Sequence, residues 1–587
     1  MAARVSEAPV WEHRFRAPRV GGLEYAQDAP HRCLYSSNVS GVWELYSWDR
    51  STDSKTLLTS RADGTTYGTL TPDGTEVWWF DDDNGSELGV WKRQPFATAP
   101  GSETLAAPGV PAAYSAGLCL GRDGSALIGC SDDDGTSIYV LTPGSAPRVL
   151  YSHEEDAYIL DTTYDGALAL IQHSEHGDSR HPELRVVRVS DGSAVAELWD
   201  GPGKGLSGYG FPDEAGDSRV LVGHERRGRQ ELLVWDPITG TEGELILDLE
   251  GELSGQWWPR GQGVLVHQEH HARSTMHRLF GDGSLRPIGP ATGVVSDVSV
   301  LPDGELWIQW SSSSTPSSIF ALDGSIVLAA PGPACPPSVA FQDVWVDGIH
   351  AFLALPEGAQ LPVPGVFVVH GGPTHHDEDT FRRDIAAYVD QGWAAITVNY
   401  RGSTGYGSLW RDAISEDIGF IEMADTAAVR AHLVGAGVLD GARVALTGAS
   451  WGGFLSLMGV GIQPTLWKCA VAGVPVADYV AAYEDEMEPL KAFDRALFGG
   501  SPVEVPEKYL RASPLTYIDS VIAPVMILAG ANDPRCPLRQ IEHYITALEE
   551  RAMPHEVYRF DAGHGSHVIE ESINQMRAEL DYLARNL

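Results

Sequence analysis

The chain has 587 residues, of which 43% are hydrophobic, and it carries a formal net charge of −39 at pH 7. This length exceeds that of one ordinary domain, and the negative charge argues against nucleic acid or an anionic membrane as a partner. The sequence shows no signal peptide, no apolar run of transmembrane length, and no paired or metal-like spacing among its six cysteines. We therefore expect a cytoplasmic protein of at least two domains, with no cofactor and no metal site.

A unit that starts with a tight turn and continues into an apolar strand recurs along residues 21–330. In one copy, the turn at residues 72–74 precedes the apolar run at residues 77–80. The copies recur about every 40–50 residues, a period typical of β-propellers. Together with an earlier copy at residues 33–48 they predict seven blades; six or eight blades, and a pair of β-sandwiches, are the alternatives. The further turns lie at residues 122–124, 164–166, 216–217, 260–263 and 302–304.

The pattern changes after a Pro-rich connector at residues 330–337. From residue 331 to residue 587, apolar strands alternate with helices, which predicts an α/β domain with a mostly parallel, doubly wound sheet. An early strand at residues 366–369 runs into His370-Gly371-Gly372-Pro373. Glycines at the end of such a strand leave backbone N–H groups free to bind a developing oxyanion.

Residues 446–453 read Leu-Thr-Gly-Ala-Ser-Trp-Gly-Gly, between an apolar strand and a core-facing helix. This layout is typical of a nucleophile elbow, a tight turn that exposes a serine hydroxyl above the sheet. We therefore predict Ser450 as a nucleophile and the amide of Trp451 as the second oxyanion donor.

An acid and a base follow in the order that the α/β-hydrolases use. Asp533 comes directly after the apolar strand at residues 524–529, and His564 follows the strand candidate at residues 555–560. A serine is a poor nucleophile unless a base takes its proton, and an aspartate fixes the tautomer of that base. His567 and Asp561 are rivals; His564 is preferred for its glycine neighbours, and Asp561 lies too close to it in sequence.

The segment after the elbow is the expected wall of a substrate pocket. Tyr479 and Tyr483 are four residues apart and share one face of a helix, which suggests an aromatic pocket, although core packing explains them equally well. Glu484 and Glu486 could hold a free α-ammonium group of a substrate. The alternative is a solvated, acidic helix start.

The motifs at residues 370–373, 399–407, 448–453, 532–538 and 562–564 together resemble the prolyl oligopeptidase family of serine peptidases, in particular its acylaminoacyl-peptidase subgroup. The resemblance implies a β-propeller capping an α/β-hydrolase, with Ser450, Asp533 and His564 as the triad. Tyr406 matches a tyrosine that supports the oxyanion in some branches, whereas the acylaminoacyl branch uses the Gly372 amide. The resemblance also implies that Arg535 binds a substrate carbonyl, and that a leading helix within residues 1–20 could pack on the hydrolase.

The expected function is therefore that of a serine exopeptidase. It would hydrolyse short peptides, or aminoacyl or acylaminoacyl amides, through an acyl-enzyme, with access gated by the propeller. Whether the substrate N-terminus is free or acylated stays open, as does homo-oligomerisation. The alternatives are a carboxylesterase, a hydrolase of small aminoacyl amides, and an interaction module with a vestigial hydrolase.

Overall fold

The computed structural model describes residues 8–587, so the first seven residues of the expected N-terminal extension lie outside the described part. The described chain begins with helix α1 (Val10–Arg16), which buries Trp11 and Phe15. In the described part, no helix is both long and apolar enough to cross a membrane.

Antiparallel strands joined by tight turns fill the chain from residue 20 to residue 328. In the turn at residues 72–74, Asp73 Oδ1 accepts a hydrogen bond from Thr75 N at 3.0 Å, and Gly74 has a φ of +66°. An aspartate followed by glycine closes such turns because the carboxylate binds the backbone and glycine tolerates positive φ. The four-stranded sheets are β1–β4 (Val20–Ala26, Ala29–Ser37, Glu44–Asp49, Ser54–Leu57), β13–β16 (Ala157–Thr162, Leu168–His173, Glu183–Arg188, Ala194–Leu198), β17–β20 (Leu206–Gly208, Val220–His224, Glu231–Asp236, Thr241–Leu245), β21–β24 (Glu252–Trp257, Val264–His270, Arg273–Leu279, Leu285–Ile288) and β25–β28 (Val294–Val300, Leu306–Ser312, Thr315–Ala321, Ile326–Leu328).

The remaining eight strands of this region form one sheet, so the blade count differs from the seven separate blades expected. Its strands are β5–β12 (Gly68–Leu70, Glu76–Asp82, Leu88–Pro95, Thr104–Leu105, Ala113–Leu120, Ala126–Asp132, Gly135–Leu141, Arg148–His153). Strands β7 and β9 pair at Leu88↔Tyr114 and Gly89↔Ala113, which joins two four-stranded groups. The sequence period counts turn-and-strand units and carries no information on pairing between them. The result is a β-propeller with five separate blades and one double-width sheet.

The propeller closes by packing its first sheet against its last. Leu23 and Cys33 from the first sheet share one buried core with Trp307 and Ile319 from the last. Hydrophobic contact between the terminal blades therefore closes the ring, since neither terminal sheet contains a strand from the other end.

The C-terminal region is an α/β domain around one eight-stranded sheet with the order β29-β30-β32-β31-β33-β34-β35-β36. All neighbours from β32 to β36 in that order are parallel, and β29 and β30 add an antiparallel edge. In chain order, strands β29–β36 are Gln342–Val346, Ile349–Ala354, Val363–Val369, Ala394–Asn399, Leu439–Ala449, Ala470–Gly473, Val525–Gly530 and His555–Phe560. Helices α2–α10 are Arg383–Asp390, Ser408–Asp412, Phe420–Gly435, Trp451–Ile462, Tyr479–Asp485, Glu488–Phe498, Pro506–Ala512, Leu538–Glu550 and Ile569–Asn586, with short 3₁₀ turns at Pro259–Gly261, Ala413–Glu416 and Pro514–Ser520.

Helices cover both faces of this sheet. Along β31, Phe367 and Val369 pack into one core while Val366 and Val368 pack into the other, because alternate residues of a strand point to opposite faces. On the face that buries Val366 and Val368, helix α1 packs against both α2 and α10. Its Arg14 is buried and donates hydrogen bonds to carbonyl oxygens of the connector, at Pro336 and Pro337.

The connections leave a crevice between β31 and β33. The chain leaves β31 toward β32 on one side and leaves β33 toward β34 on the other. In open α/β sheets, ligands bind outside the carboxyl ends of the strands at such a switch point. The propeller contacts this edge: Glu252 accepts hydrogen bonds from the amides of Gly405 and Gly407, and Trp43 N donates to His567 O.

Candidate active site

Ser450 occupies a strained turn at the carboxyl end of β33. The strand ends at Ala449, α5 starts at Trp451, and Ser450 has φ +59° and ψ −123°. The turn is closely packed, since a Cβ on Gly452 would lie 2.0 Å from Val369 O. Only glycine fits there, which explains the Gly-rich pattern and leaves the serine side chain at the tip of the turn.

The loop after β31 lies against this turn. A Cβ on Gly371 would be 3.4 Å from Ser450 Cβ and 3.8 Å from Trp451 N. His370 lies buried below the loop, stacked on Tyr400, and burial lowers its pKa to about 3, so it stays neutral and structural. The backbone at Gly371 and Gly372 and the positive end of α5 therefore surround Ser450 on one side.

Asp533 and His564 form a direct pair. Asp533 Oδ2 lies 2.8 Å from His564 Nδ1, and Oδ1 accepts hydrogen bonds from the amides of Arg535 and Cys536, both at 2.9 Å. The Asp533 side chain is fully buried, whereas that of His564 is 18% exposed. Both oxygens of the carboxylate are thus occupied, and His564 is oriented with Nε2 free for another partner.

Cys536 is a site residue that the sequence reasoning missed. Ligand atoms of Asp533, Cys536 and His564 lie within 4.8 Å of one another. Burial, together with the charges of Asp533 and Glu486, raises the pKa of the Cys536 thiol. The thiol therefore lies next to the Asp533–His564 pair.

A cavity of about 860 Å³ lies between the propeller and this site. Its lining includes His564 and Arg535 from the hydrolase and Glu87 from the propeller. Arg535 donates two hydrogen bonds to Glu87, from Nε at 2.7 Å and from a terminal nitrogen at 2.9 Å. Glu87 has a φ of +59°, which is uncommon for a residue with a side chain and often marks a functional position.

The same propeller turn touches the histidine loop directly. Asn84 donates to Asp561 at 3.0 Å, and a Cβ on Gly563 would lie 1.8 Å from Gly85 O. Asp561, the rival acid, is therefore exposed and bound to the propeller instead of to His564. No sequence signal pointed to residues 84–87, because they lie in an ordinary turn of the repeat.

The three predicted tyrosines do not line this cavity. The Tyr406 hydroxyl accepts a hydrogen bond from Asn399 at 2.7 Å and lies 2.6 Å from His350 Nδ1, so its hydrogen bonds belong to a separate network. Tyr479 is buried in an aromatic cluster with Trp451 and its neighbours. Tyr483 is half-buried, and its hydroxyl accepts from Arg495.

Neither predicted glutamate reaches the cavity wall. Glu484 pairs with Arg539 at 2.7 Å on the surface. Glu486 is buried with Oε1 unpartnered, beside the equally buried Asp494. Burial raises the pKa of Asp494 to about 8, and burial and Asp494 raise that of Glu486. Of this segment, Met487 is the residue that lines the cavity.

Comparison with known proteins identifies the domain that carries this site. A sequence profile of the prolyl oligopeptidase family matches residues 379–587. The C-terminal region therefore contains a prolyl oligopeptidase family domain. It is 25% identical over 511 residues to dipeptidyl aminopeptidase BIII of Pseudoxanthomonas mexicana, covering 77% of this chain and 70% of that protein. It is 28% identical over 349 residues to the acylamino-acid-releasing enzyme of Mus musculus, covering 58% of this chain and 44% of that enzyme.

The whole architecture also occurs in solved structures. The puromycin-hydrolyzing peptidase of Mycobacterium tuberculosis superposes with a TM-score of 0.79 at 20% identity, covering 99% of this chain and 96% of that one. Similarity at this identity concerns the fold. The arrangement of a propeller on a hydrolase domain is therefore common to this chain and that solved structure.

Proposed function

We propose that this protein is a serine exopeptidase that cleaves short peptides or aminoacyl amides with Ser450, His564 and Asp533 as its triad. Ser450 attacks the substrate carbonyl while His564 Nε2 takes the serine proton and then passes it to the leaving amine. Water attacks the resulting acyl-enzyme through the same base. Two observations support the proposal: the strained turn at Ser450, and a histidine whose Nδ1 is held by a buried carboxylate.

The oxyanion would be bound by the amides of Gly372 and Trp451. The backbone of the Gly371 loop adjoins both Ser450 and Trp451 N, and α5 directs its positive end to the same point. Tyr406 is bonded elsewhere, which favours the arrangement that uses the loop amide over one that uses the tyrosine.

The charge of the cavity favours substrates with a free N-terminus. Four carboxylates line the cavity, and two guanidinium groups partly neutralise them. Arg535, also in the lining, pairs with Glu87, and Arg61, outside the lining, pairs with Asp63 and Asp82. The excess of negative charge attracts an α-ammonium group and gives nothing to a neutral N-acetyl group. The lining carboxylates are Asp63, Asp82, Glu87 and Asp561.

The propeller would act as a size filter for this cavity. We propose that its double-width sheet works as two blades, which makes seven, around a channel too narrow for folded proteins. The turn at residues 83–87 closes on the histidine loop through Asn84 and Gly85, so substrates enter by the channel or by separation of the domains. Full-length protein should therefore cleave short peptides and leave folded proteins intact; digestion of a folded protein would contradict this.

The decisive experiment compares aminoacyl and N-acetyl-aminoacyl chromogenic amides and esters. We expect the free aminoacyl amides to be the better substrates, and Ser450→Ala to lose activity by several orders of magnitude while remaining folded. Equal or faster cleavage of acetylated amides would reverse the assignment of the N-terminus, and hydrolysis of esters alone would favour a carboxylesterase.

Two variants test the substrate contacts. Glu87→Gln should weaken binding of free aminoacyl substrates by about tenfold or more, because a hydrogen bond to a charged group contributes about 1.5–3 kcal/mol. Arg535→Ala should impair peptidyl substrates by a similar free energy and single aminoacyl substrates less. Glu76→Gln, which removes a propeller glutamate paired with Arg93 at 3.3 Å and absent from the cavity lining, is the matched control. Equal losses on all substrates would indicate a purely structural ion pair.

A further inference from the structure

A second group of histidine and glutamate side chains lies in sheet β13–β16 of the propeller and takes no part in the site above. His173 ends β14 and Glu183 starts β15, and the two residues are directly paired across the strands. Glu197 lies on the next strand, β16, and His176 lies in the loop between His173 and Glu183.

The side chains point their acceptor atoms at one another. Glu183 Oε2 lies 3.4 Å from His173 Nδ1 and 3.3 Å from His176 Nε2, and among the described residues it has no hydrogen-bond partner, although Glu183 is 1% exposed. His173 is equally buried. Its Nδ1 accepts a long hydrogen bond from the amide of Glu175 at 3.4 Å, and its Nε2 has no partner in the described chain. Ligand atoms of His173, Glu183 and Glu197 all lie within 4.8 Å of one another.

We propose that His173, Glu183 and Glu197, with His176 as fourth ligand, bind a divalent transition-metal ion of the Zn²⁺ type. Zinc bonds to nitrogen and oxygen of about 2.0–2.2 Å place two ligands of a tetrahedral site roughly 3.3 Å apart. The separations of 3.4 and 3.3 Å around Glu183 Oε2 are close to this value, and an ion bound to His173 Nδ1 would displace the long hydrogen bond from the Glu175 amide. Imidazole and carboxylate together are ligands that suit zinc among the divalent ions.

The local charge is matched to a divalent cation. Glu175, Glu183 and Glu197 supply three carboxylates, and Arg185 is the guanidinium that faces them, bonded to Glu175 and to Glu197 Oε2. With neutral histidines this leaves a net charge of about −2 around the buried Glu183, and the side chains of Glu197 and His176 are 37% and 43% exposed. A counter-ion would stabilise the buried carboxylate. Arg185 uses only Oε2 of Glu197, so Oε1 stays available to the ion.

The ion would act on the contact between the two domains. Two of the ligands, His173 and Glu183, flank the loop at residues 174–182, and His176 lies within it. The far side of this loop contacts the hydrolase domain. Arg180 donates to Ser415 Oγ at 2.8 Å and to Asp412 at 3.1 Å, and His181 Nε2 lies 3.3 Å from Asp412. A metal bound to His173, His176 and Glu183 would hold this loop in the position that makes these contacts.

The test uses the full-length protein, stripped with a chelator and then titrated with ZnCl₂, with bound metal measured by elemental analysis after desalting. We expect one zinc ion per chain, a higher Tm with zinc, and a tetrahedral visible spectrum with Co²⁺. Glu183→Gln and His176→Asn should each weaken zinc binding by at least about tenfold. His31→Asn, which changes an exposed histidine of the first sheet, should bind as the unchanged protein does.

Three results would overturn the proposal: no stoichiometric zinc, zinc binding unchanged in His176→Asn, or a zinc-induced rise in Tm that persists in that variant. His176 has a side-chain exposure of 43%, so its replacement should leave the fold intact even if Glu183→Gln does not fold. Zinc that stays bound in His176→Asn would lie elsewhere, for example at Asp533, Cys536 and His564, and would reject this site.

Discussion

Replacement of Asp533 by asparagine tests the proposed triad most directly. The asparagine Oδ1 can still accept from the amides of Arg535 and Cys536, so the loop should keep its shape. Its NH₂ group would then face His564 Nδ1, where the carboxylate now lies at 2.8 Å. A donor at that position forces the imidazole proton onto Nε2, and the ring can no longer accept the proton of Ser450. The expected loss in kcat is about 10⁴-fold, or about 5 kcal/mol of transition-state stabilisation.

The assay is kcat and KM on an aminoacyl chromogenic amide, with Tm measured in parallel. Asp561→Asn is the matched control, because Asp561 is exposed, bonded to Asn84 and remote from His564 Nδ1; it should lose less than tenfold. A loss below tenfold in Asp533→Asn with an unchanged Tm would refute the role of Asp533. A larger loss in Asp561→Asn would transfer that role to the rival acid.

Three further outcomes follow from packing and burial. Gly452→Ala should prevent soluble expression or lower Tm strongly, since its Cβ would lie 2.0 Å from Val369 O, whereas Gly435→Ala, with open space around its Cβ, should be tolerated. Asp494→Asn should raise stability at pH 9 and change it little near pH 4, measured by denaturant unfolding. Burial raises the pKa of Asp494 to about 8, so the folded state binds more protons than the unfolded state between about pH 4 and 8. The free energy of unfolding therefore falls with rising pH, by up to about 1.4 kcal/mol per pH unit. The same dependence of the free energy of unfolding on pH in Asp494→Asn would contradict this. Arg14→Met should lower Tm by removing hydrogen bonds to Pro336 and Pro337 and the ion pair with Asp390, and an unchanged Tm would show that these contacts of Arg14 add nothing to stability.

Much of the hydrolase domain could be predicted because its signals are local. Each candidate catalytic residue directly follows an apolar strand, and strands of a parallel sheet end at one edge. Ser450, Asp533 and His564 could therefore be chosen one at a time, from short stretches of sequence. Blade count was harder, since the pairing of Gly89 with Ala113 leaves no mark in the repeat that surrounds it.

The surroundings of the two predicted glutamates depend on contacts between distant segments. Glu484, within α6, pairs with Arg539, and Glu486, just after α6, is buried beside Asp494; neither lines the cavity. Glu87, which does line the cavity with Arg535, sits 448 positions earlier in the chain.

By itself, the sequence determined the two-domain organisation, the strand-turn-helix setting of Ser450 and the order of the acid and base, since these follow from hydrophobic periodicity and from turn residues within a few positions. The tertiary structure alone decided which side chains share a space: Cys536 beside Asp533 and His564, Glu87 opposite Arg535, and His173 facing Glu183. The physical reason is that electrostatics and burial act through distance in space, and long-range packing brings together groups whose separation along the chain carries no local pattern.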